Sequence, residues 1–304
     1  MATLDEQRPG VGASTVGPPP GRPKSPRLRV VAAGLTHPGR VRKNNEDQFV
    51  IARLAKSMQI EASSMDDPGH PRYGEEDGYL LVVADGMGGA AAGERASTLA
   101  IESIESFALD TLKWFFHRGR AEEGALLGEL RQAVERADRS VFREADADHK
   151  LAGMGTTLTL AYTVGADLYI AHVGDSRAYL SRGGELAQVT SDHTLVQMLV
   201  DQGVIRPEDA KHHARRNVVT NVIGGPQQGV QAEIHKLAIG EGDILLLCSD
   251  GLTEAVKDRD IAAVLSGAEP PDAMARSLVD LALKNGGPDN VTVIVGRYGT
   301  LPAA

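Results

Sequence analysis

Four aspartates stand where apolar runs end or begin, and carboxylates placed in that way can share a metal site. The run Leu80–Ala84 feeds Asp85 and then Gly86-Met87-Gly88-Gly89, while Ile244–Cys248 feeds Ser249, Asp250 and Gly251. Tyr169–Val173 leads to Gly174-Asp175-Ser176, and Gly286-Gly287-Pro288-Asp289-Asn290 precedes the run Val291–Val295. Each alone reads as a turn, because Asp and Gly are the ordinary residues of a chain reversal. Asp85 and Asp250 resist that reading, since each ends a run with no other reason to carry a charge. Oxygen ligands of this kind suit Mg²⁺ or Mn²⁺, whereas Zn²⁺ would call for Cys or several His. The chain has one cysteine, Cys248, and no His-Glu-x-x-His. Two divalent ions about 3.5–4 Å apart activate a shared water and clamp an in-line displacement at phosphorus.

The polar run Arg42-Lys43-Asn44-Asn45-Glu46-Asp47 adds what a phosphate site needs. Arg42 offers a planar fork to phosphate oxygens, and Glu46 or Asp47 can reach a metal. The bland alternative is a solvated loop. Other phosphatase designs fail on spelling. Glu254 stands where an arginine would follow a nucleophilic Cys248, and Met87 breaks the Asp-x-Asp of a phospho-aspartate enzyme. Gly-Asn-His-Glu is absent. Cys248 therefore reads as a buried strand residue.

The elements that must position these acids follow from periodicity. Residues 1 to about 28 are rich in Pro and Gly with few aliphatics and predict a disordered tail. A strand is expected over Gln48–Ala52, and Ser57 to Gly78 reads as a long exposed loop or hairpin tip. A helical pattern follows Gly93 through Ile101, Ile104 and Ala108, and a second helix runs from about Leu126 to Ala145. Leu112-Lys113-Trp114-Phe115-Phe116 is an aromatic patch expected to pack on the core. The period then becomes two over Thr157–Thr163, Asp167–Val173 and Arg177–Ser181, with links short enough to expect antiparallel neighbours. A helical, charged excursion over 194–228 precedes strands near Val230–Lys236 and Asp243–Cys248. A helix over Asp272–Lys284 and a strand over Val291–Arg297 close the chain. Helices layered on antiparallel sheets, in one domain of α+β class, is the expectation.

Composition sets the outer limits. A chain of 304 residues with 42% hydrophobic and 24% charged residues can bury a substantial core. Its formal charge of -9 argues against a nucleic-acid or anionic-membrane surface. No apolar stretch reaches the roughly 20 residues of a membrane span, and the N-terminus has no apolar signal core. The default is a cytoplasmic protein.

Taken in order, seven segments resemble the bacterial form of the metal-dependent PP2C-type protein serine/threonine phosphatases. They are Arg42–Asp47, Val83–Gly89, Gly153–Thr157, Val173–Arg177, Thr190–Thr194, Ser249–Gly251 and Gly287–Val291. The resemblance implies a four-layer α-β-β-α sandwich over residues 29–300, with two central antiparallel sheets and a flap at about 194–225. It implies that Asp85 bridges two metals, that Gly86 gives its backbone carbonyl to one, and that Asp250 and Asp289 hold the first. Glu46 or Asp47 falls on the second metal's side, Asp175 matches a third, weaker site, and Arg42 matches the phosphate-binding arginine. The implied cofactors are thus two Mg²⁺ or Mn²⁺ ions with a third weaker site. The implied reaction is attack of activated water on phosphoserine or phosphothreonine. Phosphorylated proteins and a cognate Ser/Thr kinase are the expected partners, and a monomer is the expected state.

Departures from the family pattern bear on mechanism. Met87 follows the Asp-Gly, as in bacterial members, where many eukaryotic relatives carry a histidine proposed as general acid. His193 beside Asp192 reads as structural. No membrane or sensor segment follows Thr300, which predicts a free-standing catalytic domain. The rival to an enzyme is a binding module that holds a phosphoprotein without turnover; the full set of acids argues for activity. A narrower substrate, such as a phosphorylated anti-sigma antagonist, stays open.

Overall fold

Alternation along the strands decides the layers. In β3 (Arg72–Met87), Leu80, Val82 and Ala84 pack into a core beneath helices, while Leu81 and Val83 pack into a second core between two sheets. Side chains one apart on a strand face opposite ways, so Asp85 continues the row of Leu81 and Val83. The apolar layer between the sheets therefore ends in a carboxylate.

The computed structural model describes residues 28–58, 72–111, 120–226 and 228–300. One sheet has the order β1-β12-β11-β7-β8, built from β1 (Leu28–His37), β7 (Arg177–Arg182), β8 (Glu185–Gln188), β11 (Ile244–Cys248) and β12 (Val291–Thr300). The other runs β10-β6-β5-β3-β4-β9, with β2 paired to β3. It comprises β2 (Asp47–Met58), β3, β4 (Gly155–Thr156), β5 (Leu158–Val164), β6 (Asp167–Val173), β9 (Ile223–Gly224) and β10 (Glu233–Ala238). Every strand pairing is antiparallel. Helices α1 (Ala90–Thr111) and α2 (Arg120–Ala147) cover the seven-stranded sheet. Helices α5 (Asp250–Ala255), α6 (Asp258–Leu265) and α7 (Pro271–Lys284) cover the five-stranded one. Two short helices, α3 (Leu195–Asp201) and α4 (Pro207–Ala210), lie in the excursion after β8. The result is the four-layer α-β-β-α sandwich.

Three expectations change. The short links do not make β6 and β7 neighbours: Gly174-Asp175-Ser176 carries the chain from one sheet to the other. Gly174 makes that crossing at φ +108°, in the region that glycine adopts without a Cβ penalty. An added Cβ there would also lie 2.5 Å from Thr157 Cγ2. The expected loop from Ser57 to Gly78 is shorter, because β2 runs to Met58 and β3 starts at Arg72, with a bulge between Ala55 and Ser57. Helix α5 begins at Asp250, immediately after the strand. Residues 1–27, all of the loop between β2 and β3 (59–71), and the Leu112–Phe116 patch lie outside the described residues. Cys248 is fully buried in β11, and burial pushes its thiol up to about 12.

Candidate metal centre

Two of the acids are placed by a single ladder. Asp47 opens β2 directly opposite Asp85 in the antiparallel register, so their side chains share one face. Phe49, two residues on, packs into the layer between the sheets, which fixes Asp47 on the same side. Asp85 is held by its backbone: its N–H donates to Thr157 Oγ1 (3.0 Å), and its carbonyl accepts the Thr157 N–H and the Thr156 hydroxyl, both at 2.9 Å. Asp250 enters from the other sheet at the end of β11, and Asp175 from the crossing segment between the sheets. Asp289 stands just before β12.

The electrostatics place these groups within charge range of one another. Desolvation raises Asp85 well above the usual carboxylate range, and Asp47, Asp250, Asp175 and Asp289 each push it further. Asp250 is likewise raised by desolvation and then by Asp175, Glu254, Asp289 and Asp47. Burial lifts Asp47 to about 6, although hydroxyl donors oppose the shift. Asp175 also rises to about 6, through desolvation and then the charge of Asp192. Like charges crowded into a low dielectric raise one another's pKa unless a cation joins them.

Asp47 carries the sharpest sign of a missing partner. It is 2% exposed; Oδ2 accepts the Ser249 hydroxyl at 2.8 Å, but Oδ1 is buried without a partner. Buried carboxylate oxygens are almost always satisfied, and a divalent cation would satisfy this one. The all-oxygen donor set fits Mg²⁺ or Mn²⁺. Glu46 lies against the first turn of α1, within charge range of Arg42 and Asp289. An added Cβ on Gly93 would fall 1.9 Å from Glu46 Oε2, and one on Gly86 would fall 2.1 Å from the Gly93 carbonyl oxygen. Glu46, Gly86 and the first turn of α1 thus form one tight junction that only glycines permit. Burial raises the Glu46 carboxyl. Its carbonyl accepts the Gly86 N–H at 3.2 Å and the Ser97 hydroxyl at 2.7 Å.

Arg42 pairs with Asp289, Nη2 to Oδ2 at 2.7 Å, and remains 55% exposed on its side chain. The proposed phosphate fork and a proposed metal ligand therefore touch each other at the rim.

Three residues that hold the site were not singled out by sequence reasoning. Asn290, 5% exposed, accepts the Glu46 N–H at 2.8 Å and donates to the carbonyls of Pro38 (3.0 Å) and Asn44 (2.8 Å). It locks the Arg42–Asp47 segment to the start of β12. Ser249 joins two layers, donating to Asp47 and accepting the Thr292 N–H at 2.9 Å. Arg177 forks onto Asp192 at 2.8 and 2.7 Å. In the sequence, an asparagine after Pro-Asp spells a turn, and no spacing separates a hub from a turn residue.

A second cluster has metal-binding residue types. Donor atoms of His172, His193 and Glu233 lie within 4.8 Å of one another. Its hydrogen bonds argue against an ion. The Gly174 N–H donates to His193 Nδ1 at 3.1 Å, so that nitrogen has no proton and Nε2–H faces Glu233 Oε2 at 3.3 Å. A histidine ligating through Nε2 would need its proton on Nδ1. His172 is spoken for as well, by Thr159 Oγ1 at 2.9 Å and the Ser191 carbonyl at 3.1 Å. Burial and His193 lower His172 to about 4, so it is neutral.

Comparison with known proteins places the chain by family and fold. A family profile described as protein phosphatase 2C matches residues 61–281. The serine/threonine protein phosphatase PstP of Mycobacterium tuberculosis is 40% identical over 251 residues, covering 81% of this chain; the chain spans 46% of that relative's length. The serine/threonine phosphatase stp of Listeria monocytogenes is 32% identical over 260 residues, covering 86% of this chain and 92% of that one. The solved catalytic domain of PstP in complex with two manganese ions superposes with a TM-score of 0.70 at 35% identity, covering 90% of this chain and 99% of that one.

Proposed function

Because the chain belongs to the protein phosphatase 2C family, we propose that it hydrolyses phosphoserine and phosphothreonine in proteins at a dinuclear Mg²⁺ or Mn²⁺ centre, reversing Ser/Thr kinase signalling. The observation that carries this reading is the convergence of Asp47, Asp85, Asp175, Asp250 and Asp289, with one buried Asp47 oxygen left without a partner.

In this reading Asp85, Asp250 and Asp289 would hold the first ion, and Asp85, the Gly86 carbonyl and Asp47 or Glu46 would hold the second. Asp175 serves a third, weaker site. The bound pair supplies Lewis acidity toward the phosphoryl group and lowers the pKa of water at neutral pH. Everything else falls to the chain. Arg42, half exposed at the rim, binds the phosphate through its free face of the fork. Thr156 and Thr157 keep the Asp85 peptide from turning. Asn290 keeps the Arg42 segment in register with Asp289. Met87 offers no proton to the leaving alkoxide, so protonation comes from solvent at the site or from another residue.

The direct test is phosphate release from a phosphothreonine peptide while Mn²⁺ is titrated in and then removed with EDTA. Metal-dependent release that EDTA abolishes is expected. No release from folded protein at any Mn²⁺ concentration would leave a phosphoprotein-binding module instead. Replacing Arg42 with Ala is expected to raise KM about tenfold and change kcat by less than about threefold, since the fork holds ground state and transition state alike. An unchanged KM would remove Arg42 from the phosphate.

A further inference from the structure

We propose that His193 is a positioning residue: its ring fixes the peptide that leads into the Asp175 carboxylate, and its ring and backbone carbonyl together anchor the returning end of the 194–225 excursion. The inference rests on the phosphatase reading, because it concerns how a proposed ligand of that site is held.

The geometry is a clamp made by one residue, its ring and its backbone together. The Gly174 N–H donates to Nδ1 at 3.1 Å, and the Gly174 carbonyl accepts the His193 N–H at 2.7 Å. Both polar groups of the residue before Asp175 are thus committed to His193. Gly174 sits at φ +108° in the crossing between the sheets, where no side chain of its own could steady the peptide. On the other side, the His193 carbonyl accepts the Thr220 N–H at 2.8 Å and the Thr220 hydroxyl at 3.0 Å. Asn221 Nδ2 reaches Nδ1 at 2.9 Å. Thr194, the next residue, caps α3 through the Gln197 N–H at 3.2 Å. The excursion therefore leaves and returns through contacts with one residue.

Glu233 sets the ring's orientation. It takes Nε2 at 3.3 Å, accepts the Ser191 N–H at 3.2 Å and pairs with His235 Nε2. Glu233 and His235 lie on one face of β10, and Glu233 stands opposite His172 in β6; the His172 ring lies 4.8 Å from that of His193. A cavity of about 480 Å³ opens beside His193, Asn221 and Glu233, so the ring borders open space on that side. Hydrogen bonds at both of its nitrogens set its orientation.

Two amide substitutions separate the ring's edges. Asn places its oxygen near the Nδ1 position and keeps an acceptor for Gly174; Gln places its polar end near Nε2 and loses that acceptor. Mn²⁺ binding should be followed by calorimetry, with no substrate present. H193Q is expected to weaken the weakest Mn²⁺ step by ~10-fold, the equivalent of about 1.4 kcal/mol, while H193N stays within ~2-fold of wild type. Hydrogen exchange at Gly174 should accelerate in H193Q and not in H193N. Equal Mn²⁺ binding in both variants, altered or not, would overturn the inference and leave the phosphatase reading intact. Wild-type protein that takes up no Mn²⁺ would overturn both. Should H193Q fail to fold, Asn221→Ala removes one Nδ1 donor together with two bonds to Gln231, and faster exchange that extends across 218–221 to Gly174, with unaltered exchange in β12, is the expected result. Unaltered exchange at Gly174 would refute the clamp.

Discussion

Replacing Asp250 with Asn lowers kcat/KM toward a phosphothreonine peptide by on the order of 10³, or about 4 kcal/mol of transition-state stabilisation, and raises the melting temperature of the metal-free protein. The two effects have one cause. Asp250 is desolvated beside Asp175, Glu254, Asp289 and Asp47, and its pKa is raised well above the ordinary value. A carboxylate kept there costs the metal-free fold free energy that only a cation returns. The amide has nearly the same volume and can still open α5, so the helix is retained. A gain of a few degrees in Tm without metal, together with a loss of Mn²⁺-induced stabilisation, would be read by calorimetry. Wild-type turnover in this variant would remove Asp250 from the metal, and a lower metal-free Tm would contradict the crowding of charge.

The second large effect is a pH dependence that metal reverses. Asp47 and Asp175 both have folded pKa values of about 6 against 3.8 for the free side chain. A raised carboxylate means that the folded chain binds more protons than the unfolded one over that interval. Stability from these groups is therefore greatest below about pH 4 and is lost as pH rises through about 6. From pH 5 to 7.5 about one unit is crossed by each group, roughly 1.4 kcal/mol apiece. Asp85 and Asp250, also raised, act in the same sense, and His172, lowered to about 4, opposes them in part. The balance is a few degrees in Tm for a domain of this size. The metal-free protein should accordingly melt higher at pH 5 than at pH 7.5. Saturating Mn²⁺ should invert the order, because a cation favours the ionised carboxylates and competes with protons. A metal-free Tm that climbs from pH 5 to 7.5 would mean that the acids are not crowded as described.

Much of the site was legible because strand ends are simple to read. Runs such as Leu80–Ala84 and Ile244–Cys248 announce buried strands, and a charge at the tip of a buried strand needs a reason. The antiparallel, layered α+β architecture followed from period-two segments with short links, and the order of layers came with the family resemblance. What stayed hidden depends on contacts distant in sequence. The crossing at Gly174 between sheets is spelled like a hairpin, because both need glycine and an acid. The hub role of Asn290 arises from contacts with residues near position 40, which no local window contains. Whether Glu46 or Asp47 faces the acids is a matter of pleat parity. Phe49 settles it for Asp47, but only once the layer between the sheets is known. Helix α5 was missed because a six-residue helix offers too little periodicity to stand out.

The place of β12 has a bearing on how the molecule is made. β12 lies between β1 and β11, pairing Leu28 with Thr300 at one end of the ladder and His37 with Val291 at the other. The hairpin of β2 and β3 is local and can close early, setting Asp47 against Asp85 well before Asp289 and Asn290 have been synthesised. Until β12 arrives, β1 has no neighbour in its sheet and the Arg42 segment has nothing to dock on. A nascent chain can thus carry most of its acids and still lack an assembled centre. The centre is complete only once β12, which Asp289 precedes, lies between β1 and β11.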